Sequence, residues 1–160
     1  MSEPEAISIH ELPVWRDRAN YILQADLGEH GLPGRFEQLW ARDLDHGQYE
    51  LCCLPFFTYG YALGDIVRLE PSAGPFKTVL GRIVTPSNRA LLRVVFTGQV
   101  NRHAELHASL ASSGRPHEWR GALLVAIDVE DAVPDALWQT VEQLSSTGDV
   151  LWEWGREPTV

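Results

Sequence analysis

The stretch Trp119–Trp154, WRGALLVAIDVEDAVPDALWQTVEQLSSTGDVLWEW, decides the fold. In its first third Leu123, Val125, Ile127 and Val129 fall on one side of an extended chain. Leu124, Ala126 and Asp128 fall on the other, so Trp119 to Val129 is expected as one strand. From Asp135 to Ser146 the period lengthens: Leu137, Trp138, Val141 and Leu144 share a helical stripe, and Gly148 stands just past its end. Val150 to Trp154 is extended again. Upstream, Leu91 to Phe96 reads as a strand, and Arg102 to Ser113 as a helix capped by Asn101 and ended by Gly114. Strand, helix, strand, helix, strand predicts an α+β lobe with helices over one face of a sheet.

Further upstream the pattern is all strand. Phe36, Gln38, Trp40, Arg42 and Leu44 alternate with Glu37, Leu39, Ala41 and Asp43, and the turn Asp45-His46-Gly47 leads into Tyr49 to Leu54, a hairpin. Pro55 ends that strand. Ile66 to Glu70 and Phe76 to Val84 follow, separated by Pro71-Ser72-Ala73-Gly74-Pro75. Residues 36–86 are therefore expected to form an antiparallel sheet or partial barrel, packed beside the α+β lobe of residues 87–160 in one compact unit. Residues 1–35 form an arm in which Ile7-Ser8-Ile9 and Tyr21-Ile22-Leu23 fit either strands or helical turns.

Composition bounds the function. The chain has 160 residues, 13 basic against 22 acidic, and a net charge of -9. With 44% hydrophobic residues it is a folded globular protein rather than a disordered one. One lysine, Lys77, and scattered arginines make no basic patch, so nucleic acid is not an expected partner. No apolar run is long enough for a membrane helix. The start Met1-Ser2-Glu3-Pro4-Glu5 is acidic where a signal peptide is basic, which points to the cytoplasm. Cys52 and Cys53 are adjacent and would point to opposite faces of a strand, so they read as small apolar residues rather than a disulfide or zinc pair.

The residues Trp40-Ala41-Arg42, Gly47-Gln48-Tyr49-Glu50-Leu51, Leu54-Pro55-Phe56-Phe57, Tyr59-Gly60, Gly64-Asp65-Ile66-Val67 and Arg93-Val94 resemble a bacterial family, domain of unknown function 4265. The resemblance spans roughly residues 36–155 and implies a small bacterial α+β protein. It carries no catalytic residue with it.

The residues themselves offer two candidate sites. Phe56, Phe57, Tyr59 and Tyr61, with Trp40 nearby, can line an apolar ligand pocket or fill the junction between lobes. Asp65 can serve a proton transfer beside the two phenols or simply make the turn after Gly64. The second candidate is charge. Between residues 122 and 160 eight acids face the single Arg156, and Asp128, Glu130, Asp131 and Asp135 lead the group. Such a field suits a basic protein partner, or a solvated face. Arg68, Arg82, Arg89 and Arg93 lie in or beside strands, where two converging guanidiniums can grip a carboxylate or phosphate. His103 and His107 share a helix face, but no third metal ligand accompanies them. No nucleotide fingerprint, phosphate loop or nucleophile elbow is present, so no cofactor is called for. The expectation is a non-enzymatic binding protein, an immunity or accessory protein with an acidic partner-binding face. The alternative is a cofactor-independent enzyme holding an apolar small molecule among the aromatics.

Overall fold

The computed structural model describes residues 6–98 and 102–159. Two sheets, two α-helices and a 3-10 turn at Leu27–His30 account for the regular structure of the described residues. In the first sheet β1 (Ile7–Ser8), β3 (Phe36–Asp43), β4 (Tyr49–Leu51), β5 (Ile66–Pro71) and β6 (Thr78–Thr85) lie in that order, while β2 (Tyr21–Asp26) pairs with β3. β1 runs parallel to β3, and every other ladder is antiparallel. β6 curls back against β2, and among the described residues no ladder joins the two. The sheet is thus a partial barrel, with Leu23, Leu39, Ala41, Leu51 and Val67 in its core. The apolar pieces of the first 35 residues are strands of this sheet.

The second sheet follows the order β10-β7-β9-β8, built from β7 (Ala90–Phe96), β8 (His117–Arg120), β9 (Leu124–Glu130) and β10 (Val150–Arg156). Helices α1 (His103–Ser113) and α2 (Asp135–Ser146) cover one face. Alternation along β7 separates its roles: Ala90, Leu92, Val94 and Phe96 pack under the helices, while Leu91 meets Leu54, Phe56 and Leu63 from the first half of the chain. That second contact is the junction of the two sheets.

Two expectations change in detail. Trp119 to Val129 is not one strand. Gly121 takes a left-handed turn (φ 59°), and His117–Arg120 folds back on Leu124–Ile127 as a hairpin, so the lobe runs strand, helix, strand, strand, helix, strand. β4 stops at Leu51: the Cys52 N–H still reaches the Trp40 carbonyl of β3, but the N–H groups of Leu54 and Phe56 bond to side-chain carboxylates instead of a neighbouring strand. The expected helix cap, Asn101, lies outside the described residues.

Candidate functional site

The junction is organised by three charged clusters. The first holds His10 between two buried carboxylates, with Nδ1 2.6 Å from Glu118 and Nε2 2.8 Å from Glu37. A carboxylate only accepts hydrogen bonds, so both ring nitrogens must donate and the imidazole is charged. Burial, the largest influence, pulls its pKa down. The bonds and charges of Glu118 and Glu37 together outweigh that, and it stands at about 9. Phe56 stacks on the ring at 4.3 Å. Glu37 also accepts the backbone N–H groups of Phe56, Phe57 and Thr58 and the Thr58 hydroxyl. Burial works to raise its pKa, but His10 and these donors hold it below the usual value. Glu118 accepts from the N–H groups of Val14 and Leu54. The cluster therefore sets the course of the Leu54–Thr58 loop, and it is closed to solvent.

The second cluster joins Asp65 to Arg156 through paired bonds of 2.5 and 2.8 Å. Asp65 also accepts from the N–H groups of Ala62 and Ser87, and Arg156 donates to the Arg89 carbonyl. The end of β10 is thereby tied to the entrance of β5. The third cluster centres on Arg93, which is 1% exposed. Its Nη1 donates to the carbonyls of Thr58 at 3.0 Å and Pro55 at 3.4 Å, and its Nε donates to Glu153 Oε1 at 3.1 Å. The Tyr59 ring covers the guanidinium at 4.4 Å, and the Tyr59 hydroxyl donates to Glu153 Oε2 at 2.5 Å. That hydrogen bond, more than burial, raises the Tyr59 pKa. The Arg93 Nη2 has no hydrogen-bond partner. Beside this group lies a hollow of about 390 Å³ bordered by Arg93, Val95, Leu124, Leu151, Trp152 and Glu153.

The aromatic candidates are divided rather than gathered. Trp40 and Tyr61 pack on the core of the first sheet, and the Tyr61 hydroxyl donates to the Gly81 carbonyl. Phe56 and Phe57 belong to the junction, and Tyr59 stands at the surface over Arg93. Asp65 is fully buried, and the hydrogen bonds of the two phenols go to Glu153 and Gly81 instead. Of the acidic candidates, Asp128 is inside and bonds to Arg89. Glu130, Asp131 and Asp135 are exposed, with Glu130 3.4 Å from both Arg89 and Arg115. The strand arginines do not converge: Arg68 reaches the His46 carbonyl, Arg89 reaches Asp128, and Arg93 reaches Glu153. His103 and His107 pack on Phe96 and Trp119 respectively, and no metal-holding group of three or more His, Cys, Asp or Glu occurs among the described residues. Both cysteines are buried free thiols, and burial pushes the Cys52 pKa up to about 11. His10, Glu37 and Glu118 were absent from the sequence candidates, and Glu153 figured only as one of the eight acids of the last third. The nearest hint was Arg93, a lone charge inside the apolar run Leu91–Phe96.

These features define a two-sheet α+β protein whose halves are clasped by buried ion pairs. Residues 37–152 match the family described as "Domain of unknown function (DUF4265)", and the chain belongs to that family. A solved structure titled "Novel crystal structure of a hypothetical protein from Neisseria gonorrhoeae" is similar in fold, with a TM-score of 0.62 at 14% identity, covering 78% of this chain and 86% of that one. No curated protein matches the chain.

Proposed function

We propose that the chain is a non-enzymatic binding protein, such as an immunity or accessory protein, acting on a basic protein partner in a bacterial cytoplasm. The observation that carries this reading is the acidic shoulder at the end of β9 and the start of α2. There Glu130, Asp131 and Asp135 stand exposed within six residues on a molecule of net charge -9. Glu130 is held in the left-handed region (φ 50°), a conformation that costs a non-glycine residue about 1 kcal/mol or more. Asp128 contributes indirectly by holding Arg89. Two free thiols suit a reducing compartment. The scattered aromatics and the closed bonding of Asp65 give the enzyme alternative no comparable support.

The test is capture of proteins from bacterial lysate at low and high salt, using the native chain and a Glu130→Lys, Asp131→Lys, Asp135→Lys variant. A basic protein retained at low salt, released at high salt, and held about tenfold less by the variant supports the reading. Capture indifferent to both salt and charge reversal overturns it.

A further inference from the structure

Arg93 is unusual among the charged groups of the junction because its bonding is incomplete. The Nε and Nη2 edge of a guanidinium is a fork that a carboxylate fills with both oxygens. Glu153 fills only half of it: Oε1 takes Nε, while Oε2 is turned aside to the Tyr59 hydroxyl. Nη2, buried, has no hydrogen-bond partner and lies in a guanidinium covered by the Tyr59 ring. An orphaned donor on a buried cation is costly, and its retention calls for an explanation. The occupant of the other half is reached by solvent, the Glu153 side chain being 47% exposed.

What lies next to the half-filled fork is apolar. Val95 and Leu124 line the hollow on the face of the second sheet that the helices do not cover, and Leu151, at 63% exposed, forms its outer wall on β10, whereas the Trp152 ring turns to the other face and packs on Trp138 of α2. A hollow of about 390 Å³ is at the lower end of the range for small-molecule pockets. We propose that Arg93 and this hollow form a binding site for an apolar monocarboxylate, whose carboxylate replaces Glu153 on the Arg93 fork while its body lies against Val95, Leu124 and Leu151. A single guanidinium in an acidic molecule matches one negative charge, which disfavours a phosphate dianion. Glu153 then acts as an internal stand-in for the ligand, and Tyr59 as the flap that moves with it.

This site is separate from the acidic shoulder. Leu151 pairs with Val95 near the end of β7, whereas Glu130 pairs with Ala90 at its beginning. Either reading can fail without the other.

The experiment is calorimetric titration of the intact protein with octanoate and with octan-1-ol, which keeps the apolar body and lacks the charge. Octanoate is expected to bind saturably and about tenfold or more tighter than the alcohol. Glu153→Gln, which removes the competing charge, is expected to tighten octanoate by about tenfold and leave the alcohol unchanged. Val95→Trp, which fills the hollow, is expected to abolish both. Arg93→Met is a poor arbiter because it also strips bonds from the Pro55 and Thr58 carbonyls. No saturable octanoate binding, equal affinity for acid and alcohol, no tightening in Glu153→Gln, or binding that survives Val95→Trp would each overturn the proposal.

Discussion

His10 is a cation that exists because two carboxylates were buried around it. Alone, each of Glu37 and Glu118 would be an uncompensated charge in the interior, and removing the shared partner of such a group typically costs about 3–5 kcal/mol. His10→Gln keeps a polar side chain but not the charge, and it should destabilise the protein by about that amount in urea unfolding at pH 7. The pH dependence has a definite sign. The folded pKa of about 9 lies above the ordinary 6.5. The stabilisation is therefore complete below 6.5, declines as pH rises through the interval, and is gone above about 9. That difference corresponds to something on the order of 3 kcal/mol. The buried thiols also weaken the fold in alkali, but only above their ordinary value of 9. Unfolding midpoints measured between pH 6.5 and 9 should fall for the native protein and stay nearly level for His10→Gln.

Among the elements, β6 shows how local backbone fixes the first sheet. Between Val67↔Ile83 and Leu69↔Leu80 the β5–β6 register shifts, and at that irregularity a Cβ on Gly81 would stand 2.7 Å from the Arg68 carbonyl oxygen. Backbone cannot step aside as a side chain can. Gly81→Ala should therefore lower stability by about 2 kcal/mol or more, read as a drop in thermal midpoint with the strand content of the folded state unchanged. Periodicity made β7, β9 and α2 legible because each buries one face against a large core. It failed at Gly121 because Trp119, Leu123 and Val125 keep the alternation going through a turn, and one glycine within apolar sequence does not announce a reversal. The junction was illegible for a different reason. His10, Glu37 and Glu118 lie far apart in sequence, and no spacing rule connects a histidine in an arm to a glutamate in a hairpin 108 positions later. Arg93 was visible as a charge in a strand, whereas its partner Glu153 lay among other acids of the last third.

Across the whole molecule, the ties reach beyond the segment that matches the family. Residues 37–152 include neither His10 nor Arg156, so that segment by itself would bury Glu37, Glu118 and Asp65 without their cationic partners. Deleting residues 1–12 should accordingly unfold or severely destabilise the chain, although the only strand it removes among the described residues is the two-residue β1. A milder loss would be expected if those residues were decoration. Circular dichroism melts of the full chain and the deletion separate these outcomes, since loss of a buried counterion gives a shift well beyond that of an exposed terminus.

The link between Asp65 and Arg156 also bears on how the protein comes into being. As a nascent polypeptide it emerges with Asp65 already made and the arginine that satisfies it still to be translated, 91 positions later. The first sheet can collapse early but cannot settle around that carboxylate until the second is complete. Ribosome-bound intermediates ending before position 156 should stay protease-sensitive throughout, because maturation of the two halves is a single late event rather than two successive ones.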